Sequence, residues 1–121
     1  MRQQLQILGM VFGLALMHGD AAAEGNPDAG KAKAATCAAC HGADGNSVNP
    51  EWPKIAGQHE SYLIMQLKAY QQGKRQNALM STQATGLSEQ DMQDLAAYYA
   101  AQAPKPGKAD PALVATGERV Y

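Results

Sequence analysis

Hydrophobic residues recur at helical spacing in two stretches of the chain. In residues 60–72 they fall three or four positions apart and share one face (Leu63, Leu67 and Tyr70). In residues 88–102 the sequence Ser-Glu-Gln-Asp forms a capping box, and the apolar side chains that follow again share one face (Met92, Leu95 and Tyr99). Both stretches are therefore predicted to be amphipathic helices.

A further helix is predicted ahead of these two. Asn26 and Pro27 suit a helix cap and the first helical position, and a sequence rich in Ala and Lys continues from residue 28 to about 39. Residues 42–57 and 74–86 lack helical periodicity and are predicted to be loops. No segment alternates as a strand would, so the fold class is all-α. Loops of this length in so small a domain indicate that something large and apolar fills the space between the helices.

The first 23 residues have the pattern of an export signal. Arg2 and the terminal amine precede a mostly apolar run over residues 5–17, and Ala21 to Ala23 supply the small residues that a signal peptidase reads. The run is shorter than the roughly 20 residues that span a bilayer. An uncleaved anchor or a buried core helix are the alternatives. We expect cleavage after Ala23, which places the mature chain in the periplasm.

Composition limits the function classes. With 121 residues the chain has room for one compact domain and short extensions. A formal net charge of -1, from 10 Lys+Arg and 11 Asp+Glu, provides no basic field for nucleic acid. A domain of roughly 80 residues buries only about 60% of its unfolded surface, so a cofactor or a covalent staple is expected to support it.

The two cysteines of the chain lie in one motif, Cys37-Ala38-Ala39-Cys40-His41. Two thiols at this spacing add across the vinyl groups of one haem, and the histidine that follows supplies an axial nitrogen to the iron. A thioredoxin-like redox pair needs a βαβ setting, which the pattern lacks. A zinc site needs two further ligands, and outside the signal region only His59 remains. The motif therefore predicts covalent attachment of a c-type haem with its iron.

The sixth iron ligand has four candidates: His59, Met65, Met80 and Met92. Met65 and Met92 lie within apolar helical patterns and are expected in the core, while His59 begins a helix among polar neighbours. Met80 lies in the segment predicted to be a loop, where its side chain is free to turn towards iron. Pattern alone leaves the choice open.

From about residue 28 to 102 the chain resembles a class I cytochrome c, most closely the N-terminal half of the dihaem cytochrome c4 family. The stretches that carry the resemblance are CAACHGADGNS, WPKIAGQHESYL and the run from Met80 to LSEQDMQDLAAYYAAQ. It implies three main helices and long loops wrapped around one covalently bound haem. It also implies that Met80, seven residues before Leu87, ligates the iron. The family often has Thr or Pro after this Met, where this chain has Ser81.

The resemblance implies roles for other residues. The carbonyl of Pro53 is expected to accept a hydrogen bond from the proximal histidine, which would fix the orientation of the ring. Gly30 and Tyr98 are expected where the terminal helices cross, since Gly allows close approach. Trp52 and Tyr62 are expected to pack around the haem.

His and Met together would fill both axial positions of the iron and leave no site for a substrate. The function predicted is a periplasmic electron carrier, not an enzyme, with redox proteins as partners: a membrane oxidoreductase as donor and a terminal oxidase or reductase as acceptor. The alternatives are a haem subunit of a membrane-associated oxidoreductase complex and, less favoured, an open-site haem enzyme or sensor.

Four segments are expected along the chain. Residues 1–23 are the signal peptide, residues 24–104 the haem domain and residues 105–112 a linker rich in Pro and Lys. Residues 113–121 resemble the start of a second, truncated cytochrome c domain, because Gly117 is followed by Glu118, Arg119 and Tyr121 as in cytochrome c4. The alternative is a short tail that packs on the haem domain.

Overall fold

A computed structural model describes residues 24–120, so the predicted signal peptide and Tyr121 lie outside the described residues. Within that range the chain forms helices and no strands, as the all-α prediction requires. The helices are α1 (Pro27–Lys33), α2 (Ala35–His41), α3 (Glu60–Gln71), α4 (Ala78–Thr85), α5 (Glu89–Ala100) and α6 (Pro111–Gly117). Within residues 24–120 every helix is too short or too polar to span a bilayer.

The predicted first helix is divided in two at Ala34. Asn26 caps α1 as expected, since its side chain accepts hydrogen bonds from the amides of Asp28 and Ala29. At Ala34 the amide bonds to the Lys31 carbonyl, one residue closer than in an α-helix, and α2 begins with the next residue. The prediction of one continuous helix is therefore wrong.

α1 and α5 cross in close contact at Gly30. A Cβ atom on Gly30 would lie 2.0 Å from the Asp94 carbonyl oxygen and 2.8 Å from the Tyr98 Cβ. Only glycine permits this approach, which outweighs its low helix propensity. The expected crossing of the terminal helices at Gly30 and Tyr98 is confirmed.

A buried carboxylate joins the same two helices. Asp94 on α5 accepts hydrogen bonds from the Asn26 amide at 2.9 Å, the Lys33 ammonium at 2.7 Å and the Gln90 side chain at 2.8 Å. These donors, the Asn26 amide first, lower the pKa of Asp94 to about 2. The charge is thus paired with both ends of α1 rather than left uncompensated in the interior.

The two amphipathic helices predicted from the pattern are confirmed as α3 and α5. The capping box of α5 is present, because the Ser88 side chain accepts from the Asp91 amide and the Asp91 carboxylate accepts from the Ser88 amide. Leu95 and Tyr99 of α5 form the core with Ala34, and Leu63 of α3 packs against them.

Residues 78–85 form helix α4, so the prediction of a loop over residues 74–86 is wrong there. Asn77 caps this helix, since its side chain accepts from the Met80 amide at 3.0 Å. At the other end the Gln71 side chain donates to the carbonyls of Ala84 and Leu87. α4 is thus stabilised by a cap and by contacts with α3, neither of which gives an apolar period along the sequence.

The loop of residues 42–57 is tied to the chain that leaves α5. The Asn46 side chain donates to the Ala103 carbonyl at 3.0 Å and accepts from the Lys105 amide at 2.7 Å. Close by, the Gly57 amide donates to the Tyr99 carbonyl at 2.9 Å. These bonds hold the end of α5 beside the loop.

α6 lies beyond this attachment and is capped by Asp110, whose side chain accepts from the Ala112 amide. The segment after residue 110 is therefore helical within the described residues. Large apolar side chains in this region remain exposed (Leu113, Val114 and Val120).

Candidate functional site

A cavity of about 460 Å³ lies between the helices, within the range of roughly 300–1,000 Å³ that is usual for small-molecule and cofactor sites. Its walls come from α2, α3, α4, α5 and the segment before α3. Most of the wall surface is apolar, although charged and amide side chains also line it (Glu51, Lys54, Gln58, Gln66, Arg75, Asn77 and Gln83). All seven residues singled out from the sequence line it: Cys37, Cys40, His41, Trp52, Pro53, Tyr62 and Met80.

α2 carries the first three of these residues. Cys37 and Cys40 are three positions apart and therefore lie on the same side of the helix, and His41 ends it. The His41 ring is buried and its Nδ1 lies 2.8 Å from the Pro53 carbonyl oxygen. Since a carbonyl can only accept, Nδ1 carries the proton and Nε2 is the ring nitrogen with a lone pair for a metal.

The chemistry of the thiols does not fit a dithiol redox centre. Neither Cys37 nor Cys40 is in a disulfide. Burial raises the pKa of Cys37, whereas a reactive redox thiol needs a lowered one. Within residues 24–120 no group of three or more His, Cys, Asp or Glu side chains is placed to hold a metal ion, whereas a structural zinc site has four ligands.

Of the four candidates for the sixth ligand, only Met80 lines the cavity. His59 lies exposed at the start of α3, as expected for a residue that precedes a helix. Met92 is buried in the core at 1% exposure, as predicted. Met65 was expected in the core, but it is 53% exposed on the outer side of α3, so that prediction is wrong.

Trp52 and Tyr62 contribute aromatic surface to the wall. Trp52 follows Glu51 in the segment before α3, and Tyr62 belongs to the first turn of α3 and is 42% exposed. Both side chains therefore offer aromatic surface to a planar apolar group in the cavity.

Several wall residues were not among the predicted site residues. Leu95, Ala96 and Tyr99 of α5 line the cavity, as does Arg75, whose guanidinium lies 4.8 Å above the Tyr70 ring. The apolar period of α5 already placed Leu95 and Tyr99 on one face. That period indicates that Leu95 and Tyr99 face the interior, but it does not show whether they contact the core or line a cavity.

The residues present fit a c-type haem. The cavity is apolar and of cofactor size, and its wall holds two thiols at the C-x-x-C spacing, an imidazole oriented through Nδ1 and a methionine sulfur. Together with the all-helical fold, this arrangement defines the class: c-type cytochromes.

Comparison with known proteins gives the family. The cytochrome c family model matches residues 27–101, and the chain belongs to this family. Its cofactor is accordingly a c-type haem with iron. The cytochrome c4 of Pseudomonas aeruginosa is 51% identical over 117 residues, which are 97% of this chain and 55% of that protein. Cytochrome c-554(548) of Halomonas halodenitrificans is 46% identical over 64% of this chain and 98% of that protein.

The fold comparison agrees. The crystal structure of reduced recombinant cytochrome c4 from Pseudomonas stutzeri has a TM-score of 0.73 and 43% identity, covering 79% of this chain and 55% of that chain. The fold is thus that of a class I cytochrome c. The chain spans about half the length of the cytochrome c4 relatives that it matches.

Proposed function

We propose that this chain is an electron-transfer protein in which His41 and Met80 are the axial ligands of a haem attached through Cys37 and Cys40. The observation that carries the proposal is that one cavity brings these four side chains together from α2 and α4. His59, Met65 and Met92 do not line that cavity.

The chain itself fixes the orientation of its proximal ligand. The hydrogen bond from His41 Nδ1 to the Pro53 carbonyl fixes both the tautomer and the ring orientation, and it increases the basicity of Nε2. Pro53 has no amide hydrogen, so its backbone contributes only an acceptor there. On α4 the cap at Asn77 supports the turn that carries Met80.

The haem, when bound, supplies one-electron chemistry. With His41 and Met80 as ligands the protein itself occupies both axial positions, so no open position remains for a substrate. The soft methionine sulfur favours the ferrous state and raises the reduction potential. Trp52, Tyr62 and the largely apolar wall would surround the bound haem.

The proposed location is the periplasm, reached through the predicted signal peptide of residues 1–23. The proposed partners are redox proteins: a membrane oxidoreductase that donates electrons and a terminal oxidase or reductase that accepts them. The proposed domain division is residues 24–104 for the haem domain, 105–112 for the linker and 113–121 for the start of a second domain. The exposed apolar side chains of Leu113, Val114 and Val120 support this division.

Ligation by Met80 is tested with carbon monoxide. The wild-type ferrous protein is expected to be inert to carbon monoxide, whereas Met80→Ala keeps covalent haem, binds carbon monoxide and has a lower reduction potential. Met65→Ala is the matched control, because Met65 is exposed and outside the cavity. A Met80→Ala protein that remained low-spin and inert would refute the assignment. A wild-type protein that bound carbon monoxide would instead indicate an open-site enzyme or sensor.

A further inference from the structure

Arg75 is a cationic side chain at the cavity that has no acidic partner among residues 24–120. It belongs to the segment between α3 and α4, lines the cavity and is exposed. Every ion pair formed within that range has a lysine as its cation, so none includes Arg75. Because a guanidinium stays protonated in proteins, Arg75 places a permanent positive charge at the cavity.

The Arg75 side chain is held against α3. Its backbone amide donates to the Ala69 carbonyl at 3.0 Å, in the turn that ends the helix. Its guanidinium lies over the Tyr70 ring, 4.8 Å from the ring centre, and donates a hydrogen bond to the Gln66 side chain. Gln66 and Tyr70 line the cavity as well. The side chain of Arg75 is thus folded back along the cavity wall.

This arrangement leaves most of the guanidinium donors available. A guanidinium has five N–H donors, all in its plane, and contact with a ring through its face does not use them. Gln66 accepts from one of them, which is the only side-chain hydrogen bond of Arg75 within residues 24–120. The other donors lie in the fork geometry that matches a carboxylate.

The other charged side chains of the wall do not have this capacity. Of Asp, Glu, Lys and Arg, the part of the wall that the structure describes has Glu51, Lys54 and Arg75. The Lys54 ammonium donates to the Lys105 carbonyl at 2.6 Å. Glu51 is an anion itself, and it is not paired with Arg75. An anionic group in the cavity would therefore find its best donor in Arg75.

The place of Arg75 along α3 suits the shape of a haem. Leu63 of α3 and Cys37 of α2 pack against the same core cluster, so the thiols adjoin the first turns of α3. Tyr70 follows two turns later, about 10 Å along the helix axis. The vinyl groups and the propionates of a haem occupy opposite halves of its edge. Attachment through the vinyl groups therefore turns the propionates away from the thiols, which is the direction of Tyr70 and Arg75.

We propose that Arg75 is a haem-binding residue: its guanidinium pairs with one of the two propionate carboxylates and keeps that carboxylate ionised. The inference rests on the proposed attachment of haem at Cys37 and Cys40. A carboxylate brought into a largely apolar cavity is costly unless it is paired. Because Tyr70 and Gln66 already hold Arg75, little side-chain freedom is lost when the pair forms.

Two effects on the reduction potential follow from charge. The guanidinium disfavours the ferric state, which has one more positive charge than the ferrous state, so its removal lowers the potential. Removal also raises the pKa of the propionate. The ferric state retains the ionised propionate more strongly than the ferrous state does, so reduction then includes proton uptake. The potential therefore falls as the pH rises through that pKa.

The test compares Arg75→Gln with Lys74→Gln in the mature, haem-bearing protein. Lys74 is the matched control, because it is adjacent and exposed but does not line the cavity. At about pH 8, where carboxylates are ionised, Arg75→Gln is expected to have a lower potential than Lys74→Gln. Between about pH 5 and 8 its potential should depend on pH more steeply than that of the wild type, while Lys74→Gln runs parallel to the wild type. Equal potentials and parallel profiles for the two variants would overturn the proposal.

Two further variants identify the groups involved. Arg75→Lys keeps the positive charge and is expected to restore most of the potential and of the pH profile. Glu51 is the carboxylate side chain of the wall, so the profile of Arg75→Gln is also measured in a Glu51→Gln background. The steeper profile is expected to persist there. Its disappearance would assign the titration to Glu51 and overturn the proposal.

The wild-type protein provides a measurement that needs no variant to mature. Its proton NMR spectrum is expected to show cross-relaxation between the Arg75 side-chain protons and the methylene protons of one haem propionate. With both sets of resonances assigned, a lack of cross-relaxation would overturn the proposal. Carbon monoxide binding by the wild type refutes the proposed function instead, so the two failures are distinguishable.

Discussion

Substitution of Gly30 by Ala tests whether close contact between α1 and α5 holds the domain together. The added Cβ would lie 2.0 Å from the Asp94 carbonyl oxygen and 2.6 Å from the carbonyl carbon. Real Cβ contacts essentially never fall below 3.0 Å, so the helices must move apart by about 1 Å. The atoms in the way are backbone, which cannot turn aside as a flexible side chain can.

The magnitude follows from two opposing effects. Overpacking of a close contact destabilises a protein by about 1–3 kcal/mol. Because the added Cβ of Gly30→Ala would meet backbone atoms, we expect a cost at or above the upper end of that range. The better helix propensity of Ala offsets about 1 kcal/mol of this loss of stability. We therefore expect a net loss of about 2 kcal/mol in the free energy of unfolding, or a fall in Tm of roughly 8–16 °C.

The assay is denaturant unfolding of the haem-bearing protein, followed by far-UV circular dichroism. Gly86→Ala is the control, because a Cβ there meets nothing within 4 Å and the backbone is in the ordinary helical region. It should stay within about 0.5 kcal/mol of the wild type. If Gly30→Ala were as stable as Gly86→Ala, the view that this crossing limits stability would be refuted.

Two further predictions concern a buried charge and a helix cap. The pKa of Asp94 is lowered from 3.8 to about 2, first by the Asn26 amide and then by Lys33. The ionised carboxylate therefore stabilises the folded protein above the unfolded pKa, and this stabilisation is lost as the pH falls towards 2. Tm measured against pH should fall on the acid side in the wild type and be flatter there in Asp94→Asn; parallel curves would contradict this. Asn77→Ala removes the cap of α4, which should destabilise the protein by about 1 kcal/mol and, by loosening Met80, allow the ferrous protein to bind carbon monoxide slowly where the wild type is inert. An Asn77→Ala protein as inert to carbon monoxide as the wild type would show that the cap does not control ligation.

The sequence predicts some helices better than others for a physical reason. α3 and α5 each have apolar side chains at helical spacing, and the capping box at Ser88 marks where α5 begins. α4 has no such period, because its support comes from the Asn77 cap and from Gln71 on α3. The break at Ala34 is not predictable either, since the residues around it (Lys33, Ala34 and Ala35) all suit a helix.

The residues of the candidate site also differ in how far the sequence predicts them. Cys37, Cys40 and His41 are contiguous, so their shared chemistry is readable from spacing alone. Met80 reaches the cavity only through the fold, and resemblance to a family, rather than pattern, indicated it. Arg75 was not among the predicted site residues, because periodicity carries no information about a side chain that turns back onto a neighbouring ring.

The side chain of Asn46 connects the loop of residues 42–57 to the chain that leaves α5. It binds the Ala103 carbonyl and the Lys105 amide, so the chain leaves the domain while fastened to the loop of residues 42–57. Pro53, near the other end of that loop, holds the His41 ring. Lys54 and Asp44 of the same loop also bind Lys105, through its carbonyl and its ammonium group. The segment through which the chain leaves the domain is therefore coupled to the loop that orients the proximal imidazole.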